Sequence, residues 1–537
     1  MQKKHFWLLS VLSGLLLTAA WPANGFAGLL FIAFVPLLFI ENHLLEHKAE
    51  SGKFRIFRWA FISFLIWNGL TTWWIWNATP LGGVFAVGLN AVFMAFVFNI
   101  FHIARRTLPS KANIWYLIFF WIGFEYLHHH WNPSWPWLSL GNGFATSIQW
   151  IQWYEFTGIF GGSLWIIMAN ILLFLAIKGR LAGGRTAKAF WVPALFFFLI
   201  VAIPMITSSL MFKNYKEVSK PVDVVVVQPN IDPWEEQYTL PVEETFRRNI
   251  GLAMKMTDSL TDFIVCPESA LQESIWQNNL HSAQSIRLLD NFVDKHPWAT
   301  IIIGASTFKY YEQGEKLSNT VRKFSNGTGY YDAYNTAFYV DTSHKYGMYH
   351  KSKLVPGPEK LPVPSLTRPL QELIFDLGGT VGSLAFAPER TVFHHCSKDL
   401  TIAIPICYES VYGEFISGFV NNGAELIFII TNDGWWGNTA GHRQHLSFSP
   451  LRAIETRRSI ARSANTGISC FINQKGEITQ SLPYLKSGVI RQKINANKKL
   501  TFYVRYGDYI GRIASFAAVL FLLLTIATGL INRRKKI

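Results

Sequence analysis

A chain of 537 residues, half hydrophobic and only 15% charged, falls below the roughly 25% charge of an ordinary soluble domain, so a membrane portion leads. Its formal charge of +15 admits nucleic acid, anionic lipid or positive-inside topology, and only the distribution of the charge separates them. Four cysteines, Cys266, Cys396, Cys407 and Cys470, are too few for a disulfide scaffold in a chain this long, which leaves room for one as a nucleophile.

Lys3 and Lys4 precede an apolar run over 6–22. Alone it reads as a signal peptide; apolar segments continue without a break, so a first membrane span is preferred. Further spans are predicted at 24–40, 59–77, 82–103, 113–130, 158–177 and 189–210, and a last at 511–531, several near the about 20 residues that cross the hydrocarbon. The first two are short.

Eight spans put the connecting segments alternately on two sides. On one side Lys3, Lys4, Lys48, Lys53, Arg55, Arg58, Arg105, Arg106, Lys111, Lys178, Arg180, Arg185, Lys188, Arg533, Arg534, Lys535 and Lys536 meet only Glu41, Glu46 and Glu50. The short loops of the other side, near 23, 78–81 and 131–157, contain no Lys or Arg. The positive-inside rule places the first set in the cytoplasm and 211–510 outside. Nearly all the net charge lies in the first set, so it records topology and implies no nucleic-acid partner. The tryptophan-rich loop 128–157 has two readings: an interfacial aromatic belt, which is favoured, or the lining of a lipid path. Its consecutive His128, His129 and His130 have no acidic or cysteine partner at ligand spacing, so no metal is assigned.

From 211 to 510 the pattern changes to short β-branched runs alternating with polar helical stretches. Strands are predicted at 222–228, 262–266, 299–304, 336–340, 400–406, 425–431 and 467–473, and helices at 242–258, 281–295, 409–421 and 442–463. Continuous apolar strands separated by helices indicate an α/β domain whose sheet is covered by helices.

Three places in this domain carry reactive residues. In LTIAIPICYES an apolar strand runs into Cys407 just before a helical stretch. A sulfur at such a turn is expected near a helix N-terminus that favours the thiolate, and the next amide, from Tyr408, is placed to bind a developing oxyanion. The competing reading, a buried inert cysteine, stands level with it on this segment alone. In DFIVCPESA an apolar strand leads into Glu268, either a surface acid or a partly desolvated general base. MYHKSKLVPGPEKLP carries Lys351, Lys353 and Glu359, either a solvated loop or a cation beside thiolate and oxyanion. Together base, cation and thiol make a set for acyl transfer.

The order Glu268, Lys351, Cys407 on an α/β domain resembles the nitrilase, or carbon–nitrogen hydrolase, superfamily. Joined to an N-terminal multi-span region and one C-terminal span, the chain resembles the apolipoprotein N-acyltransferase family over nearly its whole length. The matching stretches are VVVVQPNIDPW, CPESA, YHKSKLVP, ICYES and TNDGWWGNTAGHRQH, followed by RSANTG. The resemblance implies a multi-span α-helical membrane domain at 1–210, a nitrilase-like αββα sandwich at 211–510, a C-terminal span at 511–531 and a basic tail at 532–537. It implies Glu268 as general base, Lys351 as the lysine of the triad and Cys407 as nucleophile. Glu359 matches a second glutamate behind the triad; Tyr408 and Glu409 match residues required after the cysteine. Trp234 matches a lid tryptophan across a shorter spacing, and Asn432 and Trp435 fall in an ND-x-W segment. Where the family often has Phe-Gly-Glu, this chain has Gly357-Pro358-Glu359. The implied reaction takes the sn-1 acyl chain of a membrane phospholipid onto Cys407 as a thioester, then onto the N-terminal amine of a diacylated lipoprotein. No cofactor or metal is implied, and the implied location is the bacterial inner membrane with the catalytic domain in the periplasm. The rival expectations are a membrane-tethered nitrilase-like amidase or hydrolase, and a scaffold with a dead enzyme domain.

Overall fold

The computed structural model describes residues 2–108, 113–181, 188–324, 326–360 and 383–534. Lys111, Arg185, Lys535 and Lys536 lie outside the described residues. The chain divides into two units, Met1–Trp76 with Pro80–Tyr215 and Tyr506–Ile537, and Asn77–Thr79 with Lys216–Arg505.

In the first unit each of the eight predicted spans meets a helix: α1 (Lys3–Ala20), α2 (Val35–Glu46), α3 (Arg55–Thr72), α4 (Pro80–Thr107), α5 (Tyr116–His130), α6 (Tyr154–Leu181), α7 (Lys188–Asn214) and a C-terminal helix, Tyr509–Arg534. Among the described residues five stretches are long and apolar enough to cross a membrane: Ala27–Glu46, α4, α6, α7 and the C-terminal helix. The second predicted span, 24–40, is displaced. It begins as a 3-10 turn, Ala27–Phe31, and becomes α-helical only at Val35, with Pro36 in the first helical turn where its missing N–H costs nothing. Helices α1 and α3 cross closely at small residues. Ser63 Oγ donates to Ser10 O at 2.9 Å, and a Cβ on Gly14 would stand 2.5 Å from Ser63 O.

Part of the loop after α5 is core rather than surface. Trp137, Leu138, Leu140 and Phe144 are buried in the unit as core. The Glu125 carboxylate accepts from Leu140 N, Trp121 Nε1 and Ser163 Oγ, which ties the loop to two helices. His128 accepts from the Trp131 indole at 2.8 Å and His129 meets Ser139 Oγ at 3.0 Å, so both rings have polar partners within the loop.

The second unit holds two sheets. The first comprises β1 (Pro221–Gln228), β2 (Phe263–Val265), β3 (Leu271–Trp276), β4 (Thr300–Tyr311), β5 (Arg322–Lys323), β6 (Tyr330–Val340), β7 (Gly347–His350) and β14 (Gly488–Asn495), in the order β14-β1-β2-β4-β6-β5 with β3 on β4 and β7 on β6. The second comprises β8 (Val392–His395), β9 (Leu400–Ala403), β10 (Leu426–Thr431), β11 (Ile460–Ala464), β12 (Cys470–Ile472) and β13 (Ile478–Ser481), in the order β13-β12-β11-β10-β9-β8. Strands β1, β2 and β4 pair in parallel, as do β9, β10 and β11. Their near-continuous apolar runs are what strands buried on both faces require.

The sheets face each other: Phe263 and Phe428 meet at 5.0 Å between ring centroids, and Ser463 Oγ donates to Val227 O at 2.8 Å. On the outer face of the first sheet, helix α8 (Gln284–Lys295) buries Ile286, Leu289, Phe292 and Val293 in one cluster with Ile264, Ile301 and Ile303. Helices α9 (Gly413–Asn421) and α10 (Ala440–Thr456) belong to the second sheet. This is the expected αββα sandwich.

Several elements differ from the sequence reading; the helix expected over 242–258, for one, is α-helical only over Val242–Phe246 and continues as a π turn, Arg247–Gly251. The helix expected over 442–463 stops at Thr456, because Arg457 takes a left-handed conformation (φ 51°) and the chain becomes β11. Tertiary partners hold that stop: Arg457 Nη1 donates to Gln474 O, and Arg458 donates to Ala424 O and Lys499 O. The strands expected at 299–304 and 336–340 are parts of a longer antiparallel ladder running from Ile301–Val340 to Tyr311–Tyr330, extended by tyrosines that suit a pleated, half-buried surface.

Candidate active site

Strand ends converge on one cavity of about 180 Å³ lined by Glu268, Lys351, Glu359, Cys407, Asn432 and Trp435, among others. Glu268 follows β2 through Cys266-Pro267, and Ser269 after it has φ 53°. The turn lies directly against β4. A Cβ on Gly304 would sit 2.6 Å from Glu268 Cα and 2.7 Å from Pro267 O, and Gly304 N donates to Pro267 O at 3.0 Å. Only a glycine admits this approach.

Lys351 follows β7 and is fully buried. Its Nζ donates to Glu268 Oε1 at 3.0 Å and to Glu359 Oε1 at 2.7 Å. Burial opposes the ammonium, but the two carboxylates outweigh it and raise Lys351 well above the ordinary lysine value. Asn335 Nδ2 donates to Glu268 Oε1 at 2.7 Å, and the backbone N–H of Asn432 to Glu268 Oε2 at 3.0 Å. Glu359 is returned to the site by a turn at Gly357 (φ 99°), closed by Gly357 N to Lys360 O at 2.8 Å, and Val355 N donates to Glu359 Oε2. The Gly-Pro-Glu departure therefore still delivers the carboxylate, because glycine tolerates the left-handed φ the turn demands.

Cys407 itself has φ 52°, in the region L-residues rarely occupy. The turn after it is a five-residue 3-10 turn, Cys407–Val411, and α9 begins only at Gly413. This corrects the expected helix N-terminus at the sulfur. The expected favoured thiolate is corrected with it: burial, reinforced by the Glu268 charge, pushes the Cys407 thiol above its ordinary value, while Lys351 pulls the other way. Burial and the Glu268 charge thus favour the protonated sulfur. Passing its proton to Glu268 moves one negative charge to sulfur without changing the net charge of the cavity.

Tyr408 and Glu409 lie behind the cavity wall. Tyr408 is buried with its ring on Tyr412 at 5.3 Å. Glu409 accepts at one oxygen from Ile406 N (2.7 Å) and at the other from Tyr349 Oη (2.6 Å), Ser352 N (2.6 Å) and Lys353 N (3.2 Å). It joins the cysteine turn to the segment that carries Lys351. Lys353 stands away from the triad carboxylates, its Nζ 4.8 Å from the centroid of the Tyr412 ring. Trp234, matched to a lid tryptophan, is half exposed and meets Trp435 edge to face at 4.9 Å; the same segment lines the cavity through Gln237 and Tyr238.

Sequence reading missed Asn335, Gln237, Gly304 and the buried set of Asp433, His445 and Arg462. Asn335 sits inside β6 with no local mark of function. The ND-x-W and QH stretches held Asp433 and His445, but nothing in them tells that Asp433 Oδ1 lies 2.9 Å from His445 Nδ1.

The αββα sandwich that carries this cavity is that of the carbon–nitrogen hydrolase class: the family model described as Carbon-nitrogen hydrolase matches residues 223–498. A second, Apolipoprotein N-acyltransferase N-terminal domain, matches 13–172. The apolipoprotein N-acyltransferase of Chlorobaculum tepidum is 30% identical over 531 residues, 94% of this chain and 93% of that one. Those of Geobacter metallireducens (27% identical; 94% and 92%) and Haemophilus influenzae (25% identical; 100% and 97%) match at similar extent. The chain belongs to the apolipoprotein N-acyltransferase family, and it is a membrane-associated acyltransferase.

Proposed function

We propose that this chain transfers the sn-1 acyl group of a membrane phospholipid to the α-amine of an S-diacylglyceryl cysteine at a lipoprotein N-terminus, through a thioester on Cys407. Glu268 takes the thiol proton as sulfur attacks the ester carbonyl. Lys351 and the Tyr408 amide hold the oxyanion. The ester C–O bond then breaks, and the departing lysophospholipid oxygen takes the proton from Glu268. In the second half the amine attacks the thioester, Glu268 removes the amine proton, and the C–S bond breaks as the departing sulfur takes that proton from Glu268 to return the thiol. Glu359 and Asn335 keep Lys351 and Glu268 in register.

The observation that carries this reading is that Glu268, Lys351, Glu359 and Cys407 line a single cavity in a chain of this family. Both substrates are lipid-anchored, which suits an enzyme with apolar spans. The charge asymmetry of the loops supports an inner-membrane location with 211–510 in the periplasm. Trp234 against Trp435 supplies apolar cover that limits water while the thioester waits for the amine.

Mass spectrometry of the purified protein tests the reading. Phospholipid alone is expected to leave a long-lived acyl adduct on Cys407, discharged by a diacylated lipopeptide with a free α-amine and not by its N-acetylated form. Cys407→Ala is expected to carry no adduct, while Ala or Ser at Cys266, Cys396 or Cys470 leaves adduct formation intact. Continuous turnover of phospholipid to free fatty acid, as fast without lipopeptide as with it, would make the protein a hydrolase.

A further inference from the structure

The carbonyl of Cys407 and the amide N–H of Tyr408 belong to one peptide unit, and that carbonyl is held from behind by groups that do not line the cavity. Ser410 Oγ donates to Cys407 O at 2.8 Å, and His445 Nε2 lies 3.2 Å from the same oxygen. His445 is fully buried on α10. Its Nδ1 lies 2.9 Å from Asp433 Oδ1 and 3.2 Å from Arg462 Nη2. Asp433 is itself fixed by Arg462 Nη2 at 2.7 Å and by the Thr431 hydroxyl at 2.9 Å. Ser410 Oγ also lies 3.2 Å from His445 Nε2; with the Ser410 hydrogen given to the nearer carbonyl, a hydrogen on His445 Nε2 is shared between Cys407 O and Ser410 Oγ. Two donors thus face one peptide oxygen among buried residues.

We infer that His445, held by Asp433 and Arg462, is a positioning residue that acts through the Cys407–Tyr408 peptide: it fixes the strained Cys407 turn and polarises the Tyr408 N–H as an oxyanion donor. Hydrogen bonds accepted by a peptide oxygen strengthen the N–H of the same unit as a donor, and they do so most where the dielectric is low. The left-handed φ of Cys407 persists only where its surroundings over-determine it, and a donor pair on its carbonyl does that. The inference rests on the reading of Tyr408 N–H as oxyanion donor in acyl transfer. It adds to that reading three residues which never touch the acyl group.

Two reactions of the same sulfur separate this role from plain support of the fold. Acylation by phospholipid builds an oxyanion at the attacked carbonyl. Alkylation by iodoacetamide forms an S–C bond at a saturated carbon, expels iodide, gives the thiol proton to Glu268 and builds no oxyanion. Both rates are read as mass adducts on the Cys407 peptide of the full-length, detergent-solubilised protein. For His445→Ala, acylation is expected to slow about 10- to 100-fold, short of the loss seen when an oxyanion donor is removed outright, with alkylation unchanged within about threefold. His445→Asn, too short to reach the carbonyl but polar in the buried site, is expected to match it and serves if the alanine variant does not fold. His445→Gln, whose amide reaches the carbonyl, is expected to recover most of the acylation rate. Equal slowing of both reactions would overturn the inference, since it would mean the sulfur itself had moved; an unchanged acylation rate would overturn it too. Absence of any acyl adduct in the unaltered protein would instead remove the underlying transfer reading.

Discussion

Lys351 is the residue on which the electrostatics of the cavity turn. It is a buried cation between two carboxylates, at 3.0 Å from Glu268 and 2.7 Å from Glu359. Such a triad is weak evidence for stability, yet removing its central partner leaves uncompensated buried charge, at a cost of about 3–5 kcal/mol. Lys351→Met is therefore expected to lower the unfolding midpoint and to abolish acyl-adduct formation. The double variant Lys351→Met, Glu359→Gln removes one of the two opposed carboxylates and is expected to regain much of the stability without regaining activity. Thermal unfolding alongside adduct mass spectrometry distinguishes these effects. A double variant no more stable than the single one would argue that Lys351 contributes by packing alone.

At the scale of elements, the site depends on how closely a turn lies against a strand and how one carboxylate ties two segments. Gly304 on β4 leaves no room for a Cβ beside Glu268 Cα. Gly304→Ala is expected to push the Glu268 turn outward, costing about 1–3 kcal/mol as overpacking does and about 100-fold in acylation, as a displacement near 1 Å does at a reacting centre. An alanine variant with full activity would mean that the turn yields without moving the carboxylate. Glu409 ties Ile406 to Ser352 and Lys353. Burial raises its carboxyl from 4.5 to about 7, against the donors that favour its ionised form. The sign follows from linkage: the unfolded carboxyl ionises near 4.5 and the folded one only near 7. The contribution is thus fully present below pH 4.5 and is lost as pH rises toward 7, up to about 3 kcal/mol. Midpoints measured between pH 4.5 and 8 are expected to fall across that window in the unaltered protein. Glu409→Gln is expected to lose that slope. It is also expected to be less stable throughout, because an amide nitrogen would face a backbone N–H.

For the whole molecule the testable property is orientation. Basic residues are concentrated on one set of segments, and the proposed orientation puts that set, with both termini, in the cytoplasm. A periplasm-dependent reporter fused at residue 215 is expected to be active, and a cytoplasmic reporter fused after 537 likewise. An active cytoplasmic reporter at 215 would invert the assignment and put the cavity on the wrong side for exported lipoproteins. The outward faces of α7 and the C-terminal helix, with Phe196, Leu199, Phe516 and Leu523 exposed, are apolar where a lipid-facing helix has to be.

The sequence by itself determined what depends on composition and local pattern. Apolar runs near membrane length, loop charge and unbroken β-branched strands gave the membrane helices, the orientation proposal and an α/β domain; its two facing sheets came only from the family resemblance. Residues inside recognisable stretches, CPESA, YHKSKLVP and ICYES, pointed to Glu268, Lys351 and Cys407 before any distance was known. Only the tertiary structure decided the rest, because those properties arise between segments distant in the chain. Glu268 meets Asn335 67 residues on and Asn432 164 residues on. Helix α10 stops where Arg457 and Arg458 find acceptors in other segments, against a helical pattern that continued. The protonation of Cys407 was misjudged for the same reason: a strand-to-turn motif suggests a helix dipole at the sulfur, whereas burial and the facing Glu268 charge, set by the packing of two sheets, raise the thiol instead.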